Sequence, residues 1–102
     1  MIKQQKVKGS DQVRVTYSIP HDAAQGRVYV AGDFNNWSVS SLPLIKRVND
    51  TRSASIVLDS GKRYAFRYFT DTGADSGEWF NDEEADDYEP SEHGSENCII
   101  IT

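Results

Sequence analysis

One cysteine, Cys98, stands among the 102 residues. It cannot form an intramolecular disulfide, so no covalent staple holds this chain. There is no run of 18 apolar residues, the length a membrane-spanning helix needs. Residues 1–10 are polar, carry Lys3, Lys6 and Lys8, and lack the apolar stretch of a secretory signal. The lone thiol and the missing signal together predict a cytoplasmic protein with no membrane partner. Lysine and arginine are absent after Arg67, whereas eleven acids lie between Asp71 and Glu96. Phosphate backbones need positive charge, so this distribution argues against nucleic acid as a partner. The net charge of −5 reads as a solvated surface that favours solubility.

What is present is short-period alternation. Val13, Val15, Tyr17 and Ile19 alternate with Arg14, Thr16 and Ser18, a half-buried strand that stops at Pro20. Residues 27–31 form a second strand. Residues 42–48 are short and ambiguous, with Pro43 weakening their start. Residues 52–58 place Ala54, Ile56 and Leu58 on one face. In residues 63–70, Tyr64, Phe66 and Tyr68 face one way and Ala65, Arg67 and Phe69 the other. A loose Gly- and Asp-rich loop spans residues 71–77, residues 78–81 return as a strand, and a long loop runs to a closing strand at 97–101. About seven short strands without a long helix predict an all-β sandwich. The length suits one domain, residues 12–102, preceded by a flexible tail over 1–11.

The most informative residues are Gly32-Asp33-Phe34-Asn35-Asn36-Trp37, directly after the apolar Val28-Tyr29-Val30-Ala31. Asn and Asp accept left-handed backbone and bond their own neighbours, so this is a turn. A Trp at the end of a turn is either a core residue or a platform for a flat, partly apolar ligand. The alternation predicts that Phe34 is buried and Trp37 mostly exposed. Trp79 offers a second ring, unless it only packs across strands. Arg67 supplies a planar fork of donors, unless it pairs with an acid, and Asn97 supplies both donor and acceptor. Ser95 and His93 lie close by in sequence, His93 reading as a loop surface residue. Cys98 reads as a small buried hydrophobe.

Two further patterns point to catalysis or metal and fall short of it. Asp71-Thr72-Gly73-Ala74-Asp75 looks like the active-site turn of retroviral aspartic proteases, but no Gly-rich flap or later Gly-Arg segment accompanies it. Asp82, Glu83, Glu84, Asp86 and Asp87 form an acidic run without the ligand spacing of a calcium loop. No carboxylate pair is spaced across a cleft as a glycosidase requires. The expectation is a non-enzyme with no cofactor, no catalytic residue and no metal site.

The ten residues from Val28 to Trp37 resemble the signature of family 48 carbohydrate-binding modules. That family includes the glycogen-binding domain of the AMP-activated protein kinase β subunit and the N-terminal domains of isoamylases and branching enzymes. The aromatic strand from Tyr64 to Asp71 is similar to the family's strand with its basic residue. Glu78-Trp79-Phe80-Asn81-Asp82 resembles the returning strand with the second Trp. Asp86-Asp87-Tyr88 and Gly94-Ser95-Glu96-Asn97 resemble the closing segment. The resemblance implies an immunoglobulin-like "early set" sandwich whose ligand is α-1,4-linked glucan, such as glycogen or starch. It implies that Trp37 and Trp79 stack on sugar rings and that Arg67, Asn97 and Ser95 hydrogen-bond them. Arg67 stands in place of a lysine, and His93 in place of an apolar contact. The implied partners are an α-glucan poly- or oligosaccharide and a glucan-processing enzyme or kinase-like protein. The alternative is an interaction module that docks to a catalytic domain or partner protein with a lost or weak sugar site.

Overall fold

Apolar alternation turns Val13, Val15, Tyr17 and Ile19 inward along one strand, and a facing sheet covers them. The computed structural model describes residues 1–24, 26–73, 76–91 and 95–102. Nine strands lie among them: β1 (Ile2–Lys6), β2 (Gln12–Pro20), β3 (Arg27–Gly32), β4 (Ile45–Lys46), β5 (Thr51–Asp59), β6 (Arg63–Gly73), β7 (Ser76–Phe80), β8 (Asp87–Pro90) and β9 (Glu96–Ile101). One sheet has the order β1-β2-β5-β4. The other has the order β3-β6-β9-β8, with β7 also on β6. Every pairing is antiparallel, and the two sheets pack as an all-β, immunoglobulin-like sandwich. Among the described residues no helix is long and apolar enough to cross a membrane.

Tyr17 from the first sheet and Phe66 and Tyr68 from the second have no exposed surface and form the centre of the core. Their rings meet at 4.8 Å (Tyr17–Phe66) and 5.8 Å (Phe66–Tyr68). Cys98 is buried beside them, and burial pushes its thiol pKa up.

Four elements differ from the sequence expectation. Residues 1–11 are not a loose tail, because β1 pairs with β2 from Ile2↔Tyr17 to Lys6↔Val13. Its Lys and Gln side chains hide the strand from any hydrophobic pattern, and lysines are what a protected sheet edge carries. β8 lies within the supposed long loop, where Tyr88 is its one core-packing residue. The ambiguous 42–48 segment is split between the sheets. Leu44 donates to the Val28 carbonyl and Leu42 accepts from Val30, flanking β3, before β4 joins β5. The 71–77 segment is mostly ladder, since β6 and β7 stay paired to Gly73↔Ser76 past a bulge. Ala74 and Asp75 lie outside the described residues.

The acidic run is dispersed rather than gathered. Asp82 is buried; its Oδ2 accepts from the Tyr68 hydroxyl at 2.6 Å and its Oδ1 from the Glu84 N–H at 2.7 Å. Asp86 accepts from the Ile101 N–H, and Asp87 faces Arg63. Burial, reinforced by the bond to Asp82, holds Tyr68 far above the usual phenol pKa, so its proton stays in that bond.

Tyr17 makes a useful contrast, because its buried hydroxyl has no hydrogen-bond partner among the described residues. Removing the hydroxyl should therefore have opposite effects at the two sites. Tyr68→Phe leaves a buried carboxylate short of a donor and should cost about 1–3 kcal/mol. Tyr17→Phe deletes an unsatisfied group and should be neutral or stabilise by up to about 1 kcal/mol. Urea unfolding of both variants against the parent chain checks the difference; equal losses would contradict it.

Candidate functional site

β3 ends at Gly32, where the chain passes so close to β6 that a side chain has no room. A Cβ there would stand 2.5 Å from the Ala65 carbonyl oxygen and 2.8 Å from the Phe34 ring. A one-turn 3-10 helix, Asp33–Asn35, follows. Asn35 ties it down: its Oδ1 accepts from the Gly32 N–H, and its Nδ2 donates to the Val30 carbonyl at 3.0 Å. Phe34 is half-buried and packs on the core at 6.0 Å from Tyr17.

Asn36 and Trp37 both adopt left-handed backbone, with φ of 56° and 58°. Asn tolerates this; a bulky ring does not, and such a residue costs on the order of 1–3 kcal/mol. Three contacts hold Trp37 there. Its N–H donates to the Gly32 carbonyl at 2.9 Å, and its indole N–H donates to Asp33 Oδ1 at 3.1 Å. The ring itself lies 6.4 Å from that of Trp79, tilted by 60°. Trp37 is therefore half-buried, not mostly exposed as its turn position predicts. The other oxygen of Asp33 accepts from the Ala65 N–H at 2.8 Å, which fastens the Trp37 turn to β6.

Trp79 stands on the outer face of β7, opposite Phe69 of β6, at 5.0 Å between rings. Phe69 leans over Gly77, where any Cβ would collide with it. Trp79 keeps 40% of its surface exposed. Arg67 sits on the same face, at the point where the edge of β6 passes from β9 to β7. Its Nε donates to Asn81 Oδ1 at 2.7 Å, and one terminal nitrogen donates to Ser95 Oγ at 3.1 Å. These partners are neutral, so the alternative of an acid partner does not hold among the described residues. The guanidinium carbon lies 5.9 Å from the Trp79 ring centre. Two of its five N–H groups are used among the described residues.

Asn97 projects from β9 on the same outer face, opposite Glu89 of β8. Its amide is half-buried and makes no hydrogen bond among the described residues. Ser95 also shares a hydrogen bond with the Ser91 hydroxyl at 3.1 Å. Trp37, Trp79, Arg67, Ser95 and Asn97 thus line one open depression of about 790 Å³. His93 lies outside the described residues. Sequence reasoning missed Asp33, Asn81 and Glu89. Asp33 was visible as the second residue of the turn motif; nothing local marks the other two.

The arrangement offers two tilted apolar plates, a cationic donor and an amide that both donates and accepts. That combination suits a flat ligand with apolar faces and a rim of hydroxyls. A scan of the sequence against protein-family models finds no match, and a search of curated proteins finds no relative.

Asp33 is the clasp of this site. Asp33→Ala should free the Trp37 indole, leave the Ala65 N–H without its partner, and cost about 1–3 kcal/mol. Urea unfolding should show the loss, and tryptophan emission should shift to the red in the folded protein. Unchanged stability together with unchanged emission would refute the clasp.

Proposed function

We propose that this chain is a non-catalytic α-1,4-glucan-binding domain of the family 48 carbohydrate-binding type. The observation that carries the reading is the tilted pair of tryptophans that line one depression together with Arg67 and Asn97. Each indole can cover one C–H face of a glucose ring, and the guanidinium and amide can bond its hydroxyls. The tilt between the rings supports a curved ligand. Successive residues of an α-1,4 chain turn relative to one another, so two plates at 60° can each meet a ring face. A straight β-1,4 chain presents nearly coplanar faces and fits such plates poorly. The strain held at Trp37 also supports a ligand-contacting role, since outliers of this kind cluster at binding sites.

Binding should be weak, because an open site exchanges water contacts for sugar contacts at small net gain. The expected dissociation constant is roughly 10 μM to 1 mM. Migration in native gels containing glycogen should be retarded, Trp79→Ala should weaken retention at least about tenfold, and cellulose should not retain the protein. Unretarded migration at high glycogen loading would instead favour a domain that docks to a catalytic partner.

A further inference from the structure

We propose that Glu89 is the anionic hydrogen-bond acceptor of this site, forming with Asn97 a wall that takes two neighbouring sugar hydroxyls; this rests on the glucan reading. A sugar hydroxyl brings a donor as well as an acceptor, so a site that holds one gains from an acceptor set beside its donors. Among the described residues the depression offers donors from Arg67 and Asn97, and most of its side-chain acceptors already take a bond. Each oxygen of Asp33 already accepts one bond, from the Trp37 indole and from the Ala65 N–H, and those bonds fix the carboxylate toward the turn and β6. The Ser95 hydroxyl already accepts from Arg67 and shares a bond with Ser91. Among the described side chains that line the depression, Asn97 Oδ1 and the Glu89 carboxylate accept no hydrogen bond.

The sheet register brings these two together. Glu89 and Asn97 are directly opposed on β8 and β9, on the outer face, and both line the depression. Opposed residues have Cβ atoms about 4.5–5.5 Å apart, within the reach of two adjacent hydroxyls on one ring. The carboxylate has a cationic neighbour across β9. Arg63 on β6 approaches Glu89 Oε2 at 3.6 Å and Asp87 Oδ2 at 3.5 Å, so one guanidinium crosses β9 to reach both acids of β8. Oε1 is left free of that contact, and the Glu89 side chain keeps 42% of its surface open. A charged acceptor makes a hydrogen bond roughly twice as strong as a neutral one.

Calorimetric titration of maltoheptaose into the parent chain, Glu89→Gln and Asp87→Asn tests this. Glu89→Gln should bind about 5–20-fold more weakly. Asp87→Asn loosens the same Arg63 bridge but keeps the acceptor, and should bind within about twofold of the parent. The Glu89 carboxyl carbon of the parent protein should also shift in an NMR titration with maltoheptaose. Unaltered affinity in Glu89→Gln, equal losses in both variants, or a silent Glu89 carboxyl resonance in a parent chain that binds would overturn the proposal and leave the glucan reading standing. A parent chain that binds no α-glucan would overturn both.

Discussion

The structure depends on β6 being hydrogen-bonded along both of its edges. β3 runs along one edge from Phe66 to Asp71. The other edge is shared: β9 takes residues 63–66, and β7 takes the ladder from Tyr68 onward. Arg67 falls at the gap between those two partners. The gap separates the end of β7 from the start of β9, and the Arg67 guanidinium closes it through Asn81 and Ser95. Asn81 adds a second tie by donating to the Glu96 carbonyl at 3.0 Å. The inner face of the same strand puts Phe66 and Tyr68 into the core, while its outer face carries Ala65, Arg67 and Phe69 under the site. Stability and site geometry are thus built on one backbone.

Strain and its compensation lie close together. The left-handed backbone of Trp37 is unfavourable by itself, and the turn persists because polar contacts over-determine it. Asp33 bridges a side chain and a backbone N–H that belong to different segments. Asn35 does the same within the turn, and also donates to Ser41 at 3.2 Å. The indole is thus fixed by contacts within the protein itself. The Trp79 ring is braced in a similar way, by Phe69 on its own sheet and by the guanidinium of Arg67.

The acids show how position in the fold assigns different work to one residue type. Asp82 is buried, and its backbone N–H contacts the Cys98 sulfur at 3.3 Å. Asp86 terminates an edge by accepting from Ile101. Asp87 and Glu89 share Arg63 across β9, on the surface of the second sheet. Within one acidic stretch, Asp82 thus becomes a core anchor, Asp86 an edge cap, and Asp87 with Glu89 a bridged pair.

The amino-acid pattern alone determined the class of fold and the faces of the best strands. The alternation over Val13 to Ile19, over Ala54 to Leu58 and over Tyr64 to Phe69 assigns each side chain to a face, because pleat direction is a local property of the backbone. The turn at Asn35-Asn36 was legible for the same reason: left-handed backbone has few tolerant residues. Tertiary structure decided which strands lie side by side. β1 and β8 exist through backbone pairing to β2 and β9, and backbone pairing leaves little mark on side-chain composition at a sheet edge. It also decided the environment of Trp37, whose burial depends on Trp79 in a distant segment, and the partners of Arg67, which come from the ends of two other strands. Periodicity reports the direction a side chain points; only the packed sheets determine what waits for it there.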